Sequence, residues 1–287
     1  MTILAAHRQH SRRFEDFKYV YPVLSRRSHG ISIGLNVNPD KACNFDCVYC
    51  QVDRTTGSAV KRFDLAVAEE ELREMLEVVR SGAIAQHPSF HSVPRELLRL
   101  NDIALSGDAE PTTLPNFSGT IQMIARVKPP ETKIVLITDA GGLDRADVKR
   151  GLDIMDANQG EVWAKLDAGT EEYFNFINRT KIPFARILKN ISETAKVRPM
   201  VIQSLFLKIR GVGPGDDEIT AYCQRLREIG NIKLVQVYTV ARKAMTVVDG
   251  VPAWQFVSAF SNAEVDAITA RVRKEAGVEA ESFYGQS

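Results

Sequence analysis

The sequence predicts an α/β protein built on parallel strands. From residue 31 onward, short apolar runs alternate with segments of helical period. Several of these runs are continuously apolar, which is typical of parallel strands covered by helices. Alternation of strands and helices gives right-handed crossovers and either a doubly wound sheet or a barrel, and six units favour a partial (β/α)6 barrel of the TIM type.

Six strands and five intervening helices are predicted in chain order. The strands are residues 31–37, 102–105, 133–138, 162–167, 201–209 and 234–240, and the helices are residues 68–80, 119–127, 145–155, 183–197 and 217–229. In the first helix, Leu72, Met75 and Val79 fall on one face. Glu69 to Glu71 are predicted in its first turn, where carboxylates interact favourably with the helix dipole.

Two segments flank this predicted core of residues 31–245. Residues 1–30 are predicted to form a basic N-terminal arm, which is either a solvated segment or a local patch for nucleic acid. Its cations are Arg8, Arg12, Arg13, Lys18, Arg26 and Arg27, and its acids are Glu15 and Asp16. Residues 246–287 are predicted to close the core, with a hairpin turning at Asp249 and Gly250 and a final helix at 263–275.

Composition is that of an ordinary globular protein, with 44% hydrophobic and 25% charged residues. The formal net charge of +1 gives no global positive field of the kind that phosphate binding uses. The first residues carry too short an apolar run for a secretory signal, and no stretch has the length of a membrane span. A cytoplasmic protein without membrane contact is therefore expected.

Three of the four cysteines lie close together in KACNFDCVYCQ, as Cys43, Cys47 and Cys50. Thiolates at this spacing can converge on one group, and soft sulfur ligands select iron-sulfur clusters or zinc. Cys223 is predicted to be a core residue, because it lies on an apolar helical stripe with Tyr222 and Leu226. Three ligands without a fourth would leave one metal position open to a molecule from solution.

The spacing C-x-x-x-C-x-aromatic-C, with Tyr49 as the aromatic residue, resembles the cluster motif of the radical S-adenosylmethionine (SAM) enzymes. The resemblance implies a 4Fe-4S cluster bound by Cys43, Cys47 and Cys50, with SAM on the open iron. It also implies reductive cleavage of SAM to a 5′-deoxyadenosyl radical, which abstracts hydrogen from a substrate. Tyr49 is then expected near the adenine.

SGDAEPT, residues 106–112, resembles the loop of that family that binds the SAM amino group. Gly107 allows close approach of the backbone, and Asp108 or Glu110 can accept hydrogen bonds from an ammonium. Ala109 stands where the related subgroup usually has glycine.

Further cofactor contacts are expected at the ends of later strands. LITDAGG resembles the family's Thr-Asn segment, with Thr138 followed by Asp139, whose carboxylate can accept from ribose hydroxyls. Asp167 and Gln203 are the other expected SAM contacts, and the amide of Gln203 can donate to the SAM carboxylate.

KLDAGTEEYFNFINR and VQVYTVARK resemble the subgroup related to the wyosine-base-forming tRNA enzymes. In that subgroup a lysine in the barrel can act as a Schiff-base group, and Lys165 and Lys208 are the candidates for a catalytic lysine. Unlike those enzymes, this chain has no second cysteine set.

The resemblance thus implies a radical SAM oxidoreductase with an unidentified substrate, which could be a small molecule, a peptide or RNA, and an electron donor such as flavodoxin or ferredoxin. One alternative is a radical SAM activase, or a modifier of peptide or tRNA. Another is a zinc-stabilised module that binds nucleic acid through the basic arm.

Overall fold

The computed structural model describes Arg12 and residues 14–285, so Arg8 and Arg13 of the predicted arm lie outside the described residues. The chain forms two compact units. Among the described residues, the first contains Arg12 and residues 14–42, 58–137 and 145–161, and the second contains residues 43–57, 138–144 and 162–285. The predicted division at residues 30 and 245 stays a prediction.

The first unit has strands from the early part of the chain. They are β1 (Val20–Ser25), β2 (Gly30–Leu35), β3 (Leu100–Leu105) and β4 (Lys133–Thr138), of which Thr138 belongs to the second unit. β1 runs antiparallel to β2, whereas β2, β3 and β4 pair in parallel. The helices of this unit are α1 (Leu65–Arg80), α2 (Phe117–Val127) and α3 (Ala146–Asp156).

The strand β1 was not predicted, because the charges of residues 1–30 suggested a solvated arm. Val20 and Leu24 are instead buried, and Pro22 is accommodated because β1 pairs with β2 alone among the described strands. Residues 20–25 are therefore part of the folded core of the first unit.

Helix α1 begins three residues earlier than predicted because Asp64 caps it. The Asp64 carboxylate accepts hydrogen bonds from the amides of Ala66 and Val67. The prediction that Glu69 to Glu71 lie in the first turn is wrong. Glu71 is buried, and its carboxylate accepts hydrogen bonds from the amides of Lys18, Tyr19 and Val20, at 2.7 to 3.1 Å.

The second unit contains most of β5 (Gly160–Lys165), whose first two residues belong to the first unit. It also contains β6 (Met200–Ile209), β7 (Ile232–Thr239), β8 (Val247–Val248), β9 (Val251–Pro252), β10 (Val257–Ala259) and β11 (Ala280–Phe283). β5, β6, β7 and β11 pair in parallel in that order, β10 is antiparallel to β6, and β8 and β9 form a separate hairpin.

Four helices belong to this unit: α4 (Glu171–Asn178), α5 (Phe184–Ala195), α6 (Asp216–Ile229) and α7 (Asn262–Arg271). Cys223 in α6 is fully buried, which confirms its predicted place in the core. The predicted hairpin is also confirmed, since Asp249 and Gly250 have the positive φ values of a two-residue turn. Helix α4 and strand β11 were not predicted.

All six predicted strands are present, with boundaries that differ by up to two residues. None of the helices in the described part of the chain combines the length and apolarity that crossing a membrane takes.

Candidate active site

The loop that carries the three clustered cysteines is held by the end of helix α4. The amide of Asp46 donates to the carbonyl oxygen of Asn178 at 3.2 Å, and the amide of Val48 donates to that of Ile177 at 2.9 Å. The last carbonyl groups of a helix have no partner within the helix, so the loop satisfies them. Val48 and Tyr49 are buried against Ile177 and Leu205.

A second segment holds the loop at its cysteines. The amide of Met245 donates to the carbonyl oxygen of Cys50 at 2.7 Å, and the hydroxyl of Thr246 donates to that of Cys47 at 3.0 Å. The amide of Cys50 also donates to the carbonyl oxygen of Cys47 at 3.0 Å. The loop conformation therefore rests on backbone hydrogen bonds.

The sulfurs of Cys47 and Cys50 receive hydrogen bonds from nitrogen. Arg54 donates from Nη1 to Sγ of Cys50 at 2.8 Å, and Asn178 donates from Nδ2 to Sγ of Cys47 at 3.5 Å. Burial raises the pKa of the Cys47 thiol to about 12, so the neutral thiol is favoured in the absence of a metal.

The donor set fits an iron-sulfur cluster or zinc, because it consists of three half-buried thiols on one loop, outside any disulfide, with N–H donors to the sulfurs of Cys47 and Cys50. Among Arg12 and residues 14–285, no three His, Cys, Asp or Glu side chains are arranged to hold a metal ion as they stand. A metal would therefore have to draw the three sulfurs together.

A buried polar network lies beside the cysteine loop in the second unit. Tyr49 donates its hydroxyl to Oδ2 of Asp167, and the amide of Leu205 donates to Oδ1 at 2.9 Å. The ammonium of Lys165 lies 3.5 Å from Asp167 and 2.7 Å from the hydroxyl of Tyr238. It also lies 4.9 Å from the ring centre of Tyr49, within cation–π distance.

The charges of this network favour the ammonium form of Lys165. Burial lowers the pKa of Lys165, but the negative charge of Asp167 and the hydrogen bond to Tyr238 raise it by more, so the net shift is upward. Burial and the neighbouring Asp167 raise the pKa of Tyr49, which keeps its hydroxyl protonated and able to donate.

Asn178, at the end of α4, joins the network to the cysteine loop and was not predicted. Its Nδ2 lies 3.1 Å from Oδ2 of Asp167 and 3.4 Å from the hydroxyl of Tyr49, besides its bond to Cys47. Its Oδ1 is buried and has no hydrogen-bond partner among the residues that the structure describes. The sequence signal that could have found it is the polar residue directly after the apolar pair Phe176 and Ile177.

The predicted SAM-binding loop after β3 lies in the first unit and is tightly packed. A Cβ atom at Gly107 would come within 2.3 Å of Oδ1 of Asn36, so this position requires glycine for packing alone. Asp108 accepts from Nδ2 of Asn36 at 2.7 Å and from Arg12 at 2.6 Å. The buried carboxylate of Glu110 accepts from the amide and hydroxyl of Thr112 at 3.0 and 2.6 Å.

The remaining predicted residues lie in the second unit. Thr138 and Asp139 accept from the amides of Ala140 and Gly141 at 2.9 and 2.8 Å, which shapes the turn after β4. Gln203 is buried and donates to Gln236 at 2.7 Å.

Lys208 does not contact the network around Lys165. Its ammonium lies 2.7 Å from a carboxylate oxygen of Glu264, at the start of α7. Tyr238, which does contact Lys165, was missed as a site residue, although its place at the end of β7 is the signal used for the other strands.

Comparison with known proteins supports the predicted resemblance. No protein-family model matches the chain. A UPF0026 protein of Methanocaldococcus jannaschii is 32% identical over 163 residues, which are 55% of this chain and 43% of the relative. The chain therefore matches less than half the length of that relative.

Two solved structures show the fold. TYW1 with a lysine-pyruvate adduct is 14% identical, with a TM-score of 0.52 over 87% of this chain and 74% of its own. A spore photoproduct lyase variant with bound AdoMet and dinucleoside spore photoproduct is 9% identical, with a TM-score of 0.56. The match covers 92% of this chain and 79% of the lyase chain. The predicted resemblance is confirmed at the level of fold: the chain has the α/β partial-barrel fold of radical SAM enzymes.

Proposed function

We propose that this chain, whose fold is that of the radical SAM enzymes, is itself one of them. Cys43, Cys47 and Cys50 would hold a 4Fe-4S cluster, and SAM would bind beside it. Together these groups would supply a 5′-deoxyadenosyl radical by reductive cleavage of SAM, and the radical would abstract hydrogen from a substrate.

The observation that carries this proposal is the construction of the cysteine loop. Its backbone is held from two sides, and N–H donors reach the sulfurs of Cys47 and Cys50. Hydrogen bonds to ligand sulfur stabilise thiolates and tune iron-sulfur clusters. A cysteine that only fills space in a core has no need of a charged hydrogen-bond donor at its sulfur, such as Arg54 provides at Cys50.

The cofactor residues keep the roles that the sequence suggested, as proposals. Glu110 and Asp108 would accept from the SAM ammonium, with Gly107 beside them. Thr138 and Asp139 would face the ribose of SAM. Gln203 would donate to the SAM carboxylate, and Tyr49 would lie near the adenine. Asp167 would act by holding Tyr49 and Lys165, since its carboxylate contacts both.

Of the two candidate lysines, Lys165 is the better one for catalysis. It belongs to the network that contacts the cysteine loop, whereas Lys208 pairs with Glu264. The TYW1 structure contains a lysine-pyruvate adduct. An adduct of that kind at Lys165 would first require loss of its proton, which the charge of Asp167 at 3.5 Å opposes.

An electron donor such as flavodoxin or ferredoxin would be the partner protein, and the substrate would be a small molecule, a peptide or RNA. The test is anaerobic reconstitution of the full chain with iron and sulfide, followed by addition of SAM and dithionite. We expect about four irons per chain and slow formation of 5′-deoxyadenosine and methionine without substrate. Stoichiometric zinc with no deoxyadenosine on chromatography would support the zinc module instead.

A further inference from the structure

Arg54 is a charged residue in direct contact with one of the clustered cysteines. Its Nη1 lies 2.8 Å from Sγ of Cys50, four positions earlier in the chain. Two features fix this geometry. First, the amide of Met245 donates a hydrogen bond to the carbonyl oxygen of Cys50. Second, the carboxylate of Asp53 accepts hydrogen bonds from the amide and the hydroxyl of Thr55 at 2.9 and 2.6 Å, which turns the chain directly after Arg54.

The guanidinium of Arg54 is partly buried and lies against the sulfur of Cys50. The donor to Cys47 is by contrast the neutral amide of Asn178, at the longer distance of 3.5 Å. Cys50 thus has a cationic N–H donor at its sulfur, and Cys47 has a neutral one.

We propose that Arg54 is a positioning residue that raises the reduction potential of the metal centre held by the three cysteines. The inference rests on the proposed function. Reduction adds one electron from an external reductant and breaks no bond, so the centre gains one negative charge. A cation beside the sulfur stabilises the reduced form more than the oxidised form, and the partly buried position of Arg54 strengthens this attraction.

The experiment is a redox titration of the reconstituted full chain, without SAM, followed by electron paramagnetic resonance of the reduced cluster. Ti(III) citrate is the reductant. The variants are Arg54→Gln, which keeps an N–H donor but removes the charge, and Arg54→Lys, which keeps the charge. Arg62→Gln is the matched control, because Arg62 is an exposed arginine on the same stretch of chain.

At the midpoint potential of the wild type, we expect the ratio of reduced to oxidised cluster to fall about tenfold in Arg54→Gln, which corresponds to about 59 mV for one electron. The ratio of reduced to oxidised cluster should fall less in Arg54→Lys, and in Arg62→Gln it should equal that of the wild type.

Equal potentials in Arg54→Gln and the wild type would overturn the inference while leaving the proposed function intact. Loss of iron from both Arg54 variants would also overturn it, since Arg54 would then be needed for assembly of the cluster. Absence of a cluster from the wild type would overturn the proposed function itself.

Discussion

The ammonium of Lys165 lies 3.5 Å from Oδ2 of Asp167, whose side chain is 1% exposed. Replacing Lys165 by Met removes the cation and leaves a buried carboxylate, so we expect a loss of about 3 kcal/mol in the free energy of unfolding. Urea denaturation measures it. The double variant Lys165→Met/Asp167→Asn should recover part of the loss, whereas Lys208→Met, which breaks a more exposed pair, should cost little. Equal losses for Lys165→Met and Lys208→Met would contradict the buried pair.

The pH dependence of this contribution follows from the raised pKa of Lys165. A lysine whose pKa is higher in the folded than in the unfolded state stabilises the fold fully below the unfolded value of about 10.4 and loses that effect as pH rises through the folded value. The stability difference between the wild type and Lys165→Met should therefore stay constant from about pH 6 to pH 9. A difference that shrinks across this range would show that Lys165 loses its proton near neutrality.

Variants of the clustered cysteines and a variant of Cys223 should differ in iron content. Cys47→Ala is expected to lose the cluster, because it removes one of three thiolates. Cys223→Ala should keep the iron of the wild type and lose on the order of 1 kcal/mol of stability, since Cys223 is fully buried in α6. Iron analysis after reconstitution decides between them, and equal iron loss would refute the assignment.

Glu110 can be tested for a cofactor role apart from its structural one. Its carboxylate caps the short turn at Pro111–Thr113, so Glu110→Ala should cost about 1 kcal/mol of stability. Glu110→Gln keeps an acceptor for Thr112 but lacks the charge that an ammonium requires. We expect both variants to bind SAM more weakly in anaerobic calorimetry. Unchanged affinity in Glu110→Gln would remove this carboxylate from the SAM site.

Glu71 should be important for the stability of the first unit. Glu71→Ala would leave the buried amides of Tyr19 and Val20, and the amide of Lys18, without their acceptor, at a cost of about 2 to 4 kcal/mol. Hydrogen exchange at these amides should accelerate. Glu70→Ala is the control, because Glu70 is exposed on the same helix. Similar exchange rates in the two variants would argue against the role of Glu71.

The sequence predicted those features that depend on local pattern. Apolar runs located the six parallel strands, and the helical stripe placed Cys223 in the core. The strand β1 was missed because nearby charges outweighed its apolar residues, and the buried role of Glu71 because it depends on a segment some fifty positions away.

The same limit applies to the site. Lys165 was predicted from its place at the end of β5, and the three cysteines were predicted from their spacing. Both signals are local, because each depends on residues that are close together in the sequence. The donors Asn178 and Arg54 depend on side-chain contacts that no periodicity encodes. Asn178 reaches Cys47 across 131 positions, so only the folded chain brings the two together.

The attachment of the cysteine loop to the end of α4 bears on how the centre is assembled and repaired. The bonds from Asp46 and Val48 to the carbonyl groups of α4 involve no sulfur atom. These bonds do not depend on a metal, so we expect the loop to keep its backbone conformation where a small zinc domain would unfold without its ion. If the proposed cluster is lost to oxygen, the folded chain should accept iron and sulfide again without refolding.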